Sequence, residues 1–146
     1  MFRTSSSLMV CLTIVAALTS SGCGGGGKPK TYPVKTVVLV NGAPATGASI
    51  TLHPEAGEWK TQFRNRPAGK VADDGTVKFS TFSPQDGVPA GEYVVTIHWP
   101  AGGDRDALHG EHQSPERPNP LKLTVAAGSN DLTPIQITSA KLTRKK

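Results

Sequence analysis

The chain has 146 residues, room for one domain and no second independent core. Sixteen glycines, twelve prolines and 5% aromatic residues, with β-branched residues gathered in short runs, exclude a helix bundle and describe an all-β chain punctuated by turns. A formal charge of +5 is too mild an excess to define a partner by itself.

The first predicted element is a leader over residues 1–22. Arg3 and the polar run Thr4 to Ser7 precede an apolar block from Leu8 to Leu18, and Thr19-Ser20-Ser21-Gly22 closes it with small residues. This is the three-part layout of an export signal, and its apolar block is shorter than the roughly 20 residues that span a bilayer. Gly22 directly before Cys23 resembles the lipobox of bacterial lipoproteins, although Ser20 stands where those signals usually carry leucine. The resemblance implies cleavage before Cys23 and acylation of its thiol, a soft nucleophile suited to accepting a diacylglyceryl group. Plain secretion is the alternative. Cys11 leaves with such a leader, so the mature chain has no partner for an internal disulfide.

Residues 23–31 read as a lipid-anchored tether. Four glycines, Gly24 to Gly27, resist ordering because they lose the most backbone entropy. A phosphate-cradling loop is excluded, since no strand precedes the glycines and no helix follows. Gly24 after the cysteine favours the outer membrane, by analogy with enterobacterial sorting.

The domain proper is predicted over residues 32–140, with seven strands. Val34 to Val40 is β-branched and ends at the Asn41-Gly42 turn; Ala48 to His53 alternates, with Ala48, Ile50 and Leu52 on one face. The polar stretch from Glu55 to Arg66 holds Trp59 and Phe63, which are expected to cap the core from a loop, a short helical turn being the alternative. Gly69 to Ala72 and Thr76 to Phe82 flank a hairpin turn at Asp73-Asp74-Gly75. Glu92 to Trp99 is the clearest strand, with Tyr93, Val95, Ile97 and Trp99 inward and Val94, Thr96 and His98 outward. Pro100 to Pro118 has no periodicity and reads as a long surface loop. Leu121 to Val125 and Leu132 to Thr138 complete the series, Pro134 confining the last to an edge. Residues 141–146 form a basic, solvated tail. Seven alternating strands with frequent turns predict an antiparallel β-sandwich.

The phrases "VNGAPATGASITLHP" (40–54), "DDGTVKFSTF" (73–82), "GVPAGEYVVTIHW" (87–99) and "NPLKLTVAAGSNDL" (119–132) resemble, in order and spacing, the carboxypeptidase regulatory-like lipoproteins of planctomycete bacteria. The resemblance covers about 100 residues and implies a transthyretin-like (prealbumin-type) sandwich of Ig-like Greek-key connectivity. Val77 departs from the aromatic common two residues after the Asp-Gly turn, and Phe79 is expected to take that volume. The same shape occurs in hydroxyisourate hydrolases, but their C-terminal Tyr-Arg-Gly-Ser phrase is absent from Leu142 to Lys146.

Candidate sites are few. "LHGEHQ" places His109 and His112 three apart in a Gly/Pro loop with Asp104, Asp106 and Glu111, whereas the zinc protease motif needs a spacing of four on a helix. A solvated loop is the expectation there, with weak metal binding the alternative. His53 and His98 fall on outward faces and are neighbours only if their strands pair. No serine or cysteine has a recognisable base, so no catalytic residue, cofactor or resident metal is assigned. Export and the lack of an aromatic stripe exclude nucleic acid. The expected function is a lipid-anchored, non-catalytic binding or structural module of the cell envelope, with the membrane, an envelope polysaccharide or another envelope protein as partners. The alternatives are a carbohydrate-binding module presenting Trp59 and a metal-dependent enzyme built on residues 104–112.

Overall fold

The computed structural model describes residues 27–56, 65–138 and 140–143. The expected leader, Cys23, Trp59 and Phe63 lie outside the described residues, as do residues 144–146. Every regular element among the described residues is a strand.

After β1 (Thr31–Tyr32), β2 (Val34–Val40) buries Val34, Thr36, Val38 and Val40 on one face, the period-two pattern of its sequence. Asn41 and Gly42 both take positive φ, 50° and 81°, and fold β3 (Ala43–Pro44) back on β2 in a two-residue hairpin. β4 (Ser49–Pro54) buries Ile50 and Leu52. β5 (Ala68–Lys70) and β6 (Thr76–Lys78) flank the Asp73-Asp74-Gly75 turn, where Asp74 Oδ1 accepts the N–H (2.9 Å) and hydroxyl (2.6 Å) of Thr76. There follow β7 (Val88–Pro89), β8 (Gly91–His98), β9 (Leu121–Val125), β10 (Asn130–Asp131) and β11 (Ile135–Ile137).

Two main sheets result. In one, β2 is central, with β3 and β6 antiparallel on one edge and β10 and β11 parallel on the other. The second runs β5-β4-β8-β9, all antiparallel. β1 and β7 form a separate short ladder. The expectation of wholly antiparallel sheets is therefore corrected at the first and last long strands, because inward-outward alternation is the same whichever way a neighbour runs. Each of the seven expected stretches holds a strand, shortened to three residues in β5, β6 and β11, and β1, β3, β7 and β10 add four two-residue strands in three ladders. Pro134 falls in the gap between β10 and β11, and among the described residues β11 pairs with β2 alone.

The inner faces of both sheets meet in one core. Val38, Val40, Val77 and Phe79 come from the β2–β6 region, and Ile50, Leu52, Tyr93, Val95 and Ile97 from β4 and β8. Each such side chain contributes about 1.5–3 kcal/mol by leaving water. Tyr93 is wholly buried and donates its hydroxyl to the Pro89 carbonyl at 2.7 Å, and burial pushes its pKa up. Bridges Ala68–Ser80 and Val71–Val77 join β5 to β6 and so close one side between the sheets. Gly69 is required there, since a Cβ would fall 2.4 Å from the Lys78 carbonyl oxygen.

The segment after β8 is a loop without strands and largely exposed, as expected, but a few of its residues anchor it in the core. Leu108 belongs to the core cluster, and Ala101, Ala107 and His112 are buried. Asp106 pins the segment with its carboxylate, accepting the N–H groups of Trp99 (2.6 Å) and Gly110 (2.8 Å). The His112 carbonyl accepts from Ile97 N–H at 2.8 Å. Isolated apolar residues without a period anchor this stretch, which is why its sequence reads as surface. This segment also holds Thr143, whose N–H donates to the Ala107 carbonyl at 2.9 Å, so the stretch expected as a solvated tail is tied to the domain at Thr143. At the other end, Thr31, expected in the tether, already pairs with Pro89.

Candidate functional site

The outer face of β2, β6 and β5 carries a row of lysines set by register. Lys35 on β2 stands opposite Lys78 on β6. The bridges Ala68–Ser80 and Val71–Val77 bracket the next strand pair and put Lys70 opposite Lys78 on its other side. All three are exposed. Like charges directly opposite one another across strands are destabilising. Among the described residues, Lys122 pairs with Glu55 at 2.7 Å on the other sheet, and His98 Nδ1 lies 3.6 Å from Asp106 Oδ1.

Two recesses open beside this row. The first, of about 230 Å³, is lined by Lys35 and Lys78 with Gln85, Ser129 and Asn130 and floored by Phe79. The second, of about 620 Å³, is lined by Lys70, Lys78, Asp73, Asp74, Thr76 and Gln85. Lys78 and Gln85 belong to both. Gln85 is held in the left-handed region (φ 56°), with its N–H donated to Ser80 Oγ at 2.8 Å, a conformation that non-glycine residues adopt at a cost. Asp74 is kept below the ordinary carboxylate range, chiefly by the Thr76 hydroxyl and N–H, with the Lys35 charge adding to the effect. Asp131 is opposite Lys35 on β10. The first recess thus offers two ammonium groups, an amide and a hydroxyl, and the second offers mixed donors and acceptors.

The residues singled out in the sequence do not assemble into a site. Cys23 and Trp59 lie outside the described residues. His53 and His98 do sit on paired strands, but His53 is opposite Val94 and His98 is opposite Ser49, which sets them about 13 Å apart along the sheet. His53 Nε2 shares a hydrogen bond with Thr96 Oγ1 (2.8 Å), and Arg66 donates to its Nδ1 (2.5 Å). Burial, then the Arg66 charge, lowers its pKa. His112, expected in solvent, is 8% exposed and takes a hydrogen bond from Arg117 on its ring; burial and then the Arg117 charge lower its pKa. His109 is a separate matter, in contact with the Thr143 hydroxyl at 3.3 Å. With Asp106 committed to backbone N–H groups, these residues do not converge, and among the described residues no group of three His, Cys, Asp or Glu side chains is placed to hold a metal ion. Trp99 packs inward as its alternation predicts and donates Nε1–H to the Thr46 carbonyl at 3.0 Å.

The lysine row was not apparent from the sequence. Its signal was there in part: Lys35 and Lys78 both occupy outward positions of expected strands. What was missing was the pairing that brings them together with Lys70.

No protein family, curated protein or solved structure matches this chain.

Proposed function

We propose that the chain is an exported, lipid-anchored, non-catalytic β-sandwich of transthyretin-like architecture that serves as a binding or structural module at the cell envelope. The observation that carries this reading is the junction between tether and domain. Gly22-Cys23 is followed by a glycine run, and the chain then docks at once: Lys28 lies over the Phe82 ring (5.4 Å), Lys30 over Tyr32 (5.4 Å), and Thr31 pairs with β7. Four glycines between an acylated cysteine and a docked segment make a short leash of roughly 15 Å at full extension.

Two further features support it. The sandwich reading rests on two sheets that feed one core from opposite inner faces. The non-catalytic reading rests on how the ionisable groups are used: Asp86 and Asp106 hold backbone N–H groups, and His53 and His112 are engaged by arginines. Gly24 after the cysteine favours outer-membrane attachment, by analogy with enterobacterial sorting.

Labelling cells with an alkyne fatty acid tests the anchor. Wild-type protein is expected to carry the label and Cys23→Ser to lose it; an unlabelled wild type, or label persisting in the variant, overturns the reading.

A further inference from the structure

We propose that the lysine row and its two recesses form a binding site for an acidic saccharide. The anionic group, carboxylate or phosphate, sits between Lys35 and Lys78, and the sugar hydroxyls lie along the recess of Lys70, Asp74 and Gln85. The proposal rests on the envelope reading above, which puts such polymers within reach of the domain.

Three observations carry it. First, the register sets Lys35, Lys78 and Lys70 side by side, with Asp131 opposite Lys35 on its other edge, so that Lys78 stands between two like charges. An anionic ligand turns that repulsion into charge-assisted hydrogen bonds. Second, Lys78 and Gln85 line both recesses, so a ligand held at the smaller one continues into the larger. The larger has the volume of a small-molecule pocket and pairs carboxylate acceptors with amide, hydroxyl and ammonium donors, the chemistry that hydroxyl groups require. Asp73 and Asp74 line that second recess, not the first. Third, Gln85, which lines both recesses, has its backbone fixed by the bond from its N–H to Ser80 Oγ (2.8 Å), so its place at their junction is set without a ligand.

A lipid headgroup offers the same anion. The larger recess, which continues from the anion site, sets the carboxylates of Asp73 and Asp74 beside ammonium, hydroxyl and amide groups, a lining that suits a run of sugar hydroxyls and repels a sheet of anionic headgroups. The saccharide is therefore the occupant the surface favours.

The test uses the full chain and four probes: a galacturonate trimer, the matching neutral galactose trimer, inorganic phosphate, and vesicles of phosphatidylcholine with phosphatidylglycerol. Binding is read by calorimetry, and backbone amide shifts locate it. The acidic trimer is expected to bind more tightly than both the neutral trimer and phosphate, and to shift amides of β2 and β6. Lys78→Gln and Lys35→Gln, each checked for an unchanged far-ultraviolet spectrum, should weaken it about tenfold, while Lys122→Gln on the other sheet leaves it unchanged. Failure of the acidic trimer to bind, equal binding of the neutral trimer, equal loss in Lys122→Gln, or tighter binding to the anionic vesicles overturns the proposal. Fatty-acid labelling at Cys23 reports separately: a labelled chain that ignores the trimer removes the saccharide site alone, and an unlabelled chain that binds it removes the anchor alone.

Discussion

Gly87 lies against the backbone of Tyr32: a Cβ on Gly87 would sit 2.0 Å from the Tyr32 carbonyl oxygen, and its φ of 91° is in the region that side chains avoid. The contact joins the start of the domain to the loop before β7. Both space and conformation forbid any other residue there.

Gly87→Ala is therefore expected to destabilise the fold by at least about 2 kcal/mol, since both backbone strain and a backbone clash must be relieved. Gly102→Ala, also at positive φ (96°) but with nothing within 4 Å of its Cβ, should cost about 1 kcal/mol. Urea denaturation of the two variants checks the difference. Equal losses would show that conformation alone, not the approach to Tyr32, sets the requirement.

Leu108 and its neighbours in the segment after β8 are expected to behave as core. Leu108→Ala removes a side chain that is 2% exposed and should cost about 2–5 kcal/mol, a magnitude that no solvated loop residue reaches. Asp106→Ala frees the Trp99 and Gly110 N–H groups, which should then exchange with deuterium well before those of β8 and β4. A loss below about 0.5 kcal/mol for Leu108→Ala would return the segment to the surface.

Acid should unfold the domain in two windows. His53 and His112 have pKa values lowered by burial and by arginine charge, so the unfolded chain takes up their protons first, and stability falls as pH drops below the ordinary value of 6.5. Asp86 supplies the second window. Burial raises its pKa, but N–H groups of Thr81 (2.7 Å), Phe82 (2.9 Å) and Ser83 (3.0 Å) outweigh this and lower it below the ordinary 3.8. A depressed carboxylate contributes stability above 3.8, and that contribution disappears as pH falls through its folded value. His112→Gln should reduce the upper loss and leave the lower; Asp86→Asn should do the reverse. Chemical denaturation between pH 8 and 3 decides it, and a curve unchanged in both variants would refute the assignment.

What the sequence disclosed follows from how locally each feature is encoded. Turns are local: Asn41-Gly42 and Asp74-Gly75 announce hairpins because glycine and asparagine supply positive φ wherever they stand. Strands such as Glu92 to Trp99 are nearly as local, through alternation. Pairing is not. Nothing in the pattern of Val34 to Val40 distinguishes parallel β10 and β11 from an antiparallel neighbour, and nothing in Lys35, Lys70 or Lys78 singly indicates that register aligns them. The segment around Asp106 was hidden for a related reason. Its burial depends on one leucine and on carboxylate bonds to backbone, neither of which leaves a period in the sequence.

The central position of β2 has a mechanical consequence. The chain enters it through Thr31–Tyr32 and Pro33, and along its length it is bonded to β3 and β6 on one edge and to β10 and β11 on the other. Tension arriving through the N-terminal segment runs along the axis of β2 and loads those ladders in shear, many hydrogen bonds at once. The two-residue ladder of β1 and β7, crossed before that load reaches β2, is the pairing expected to yield first, while the core stays closed.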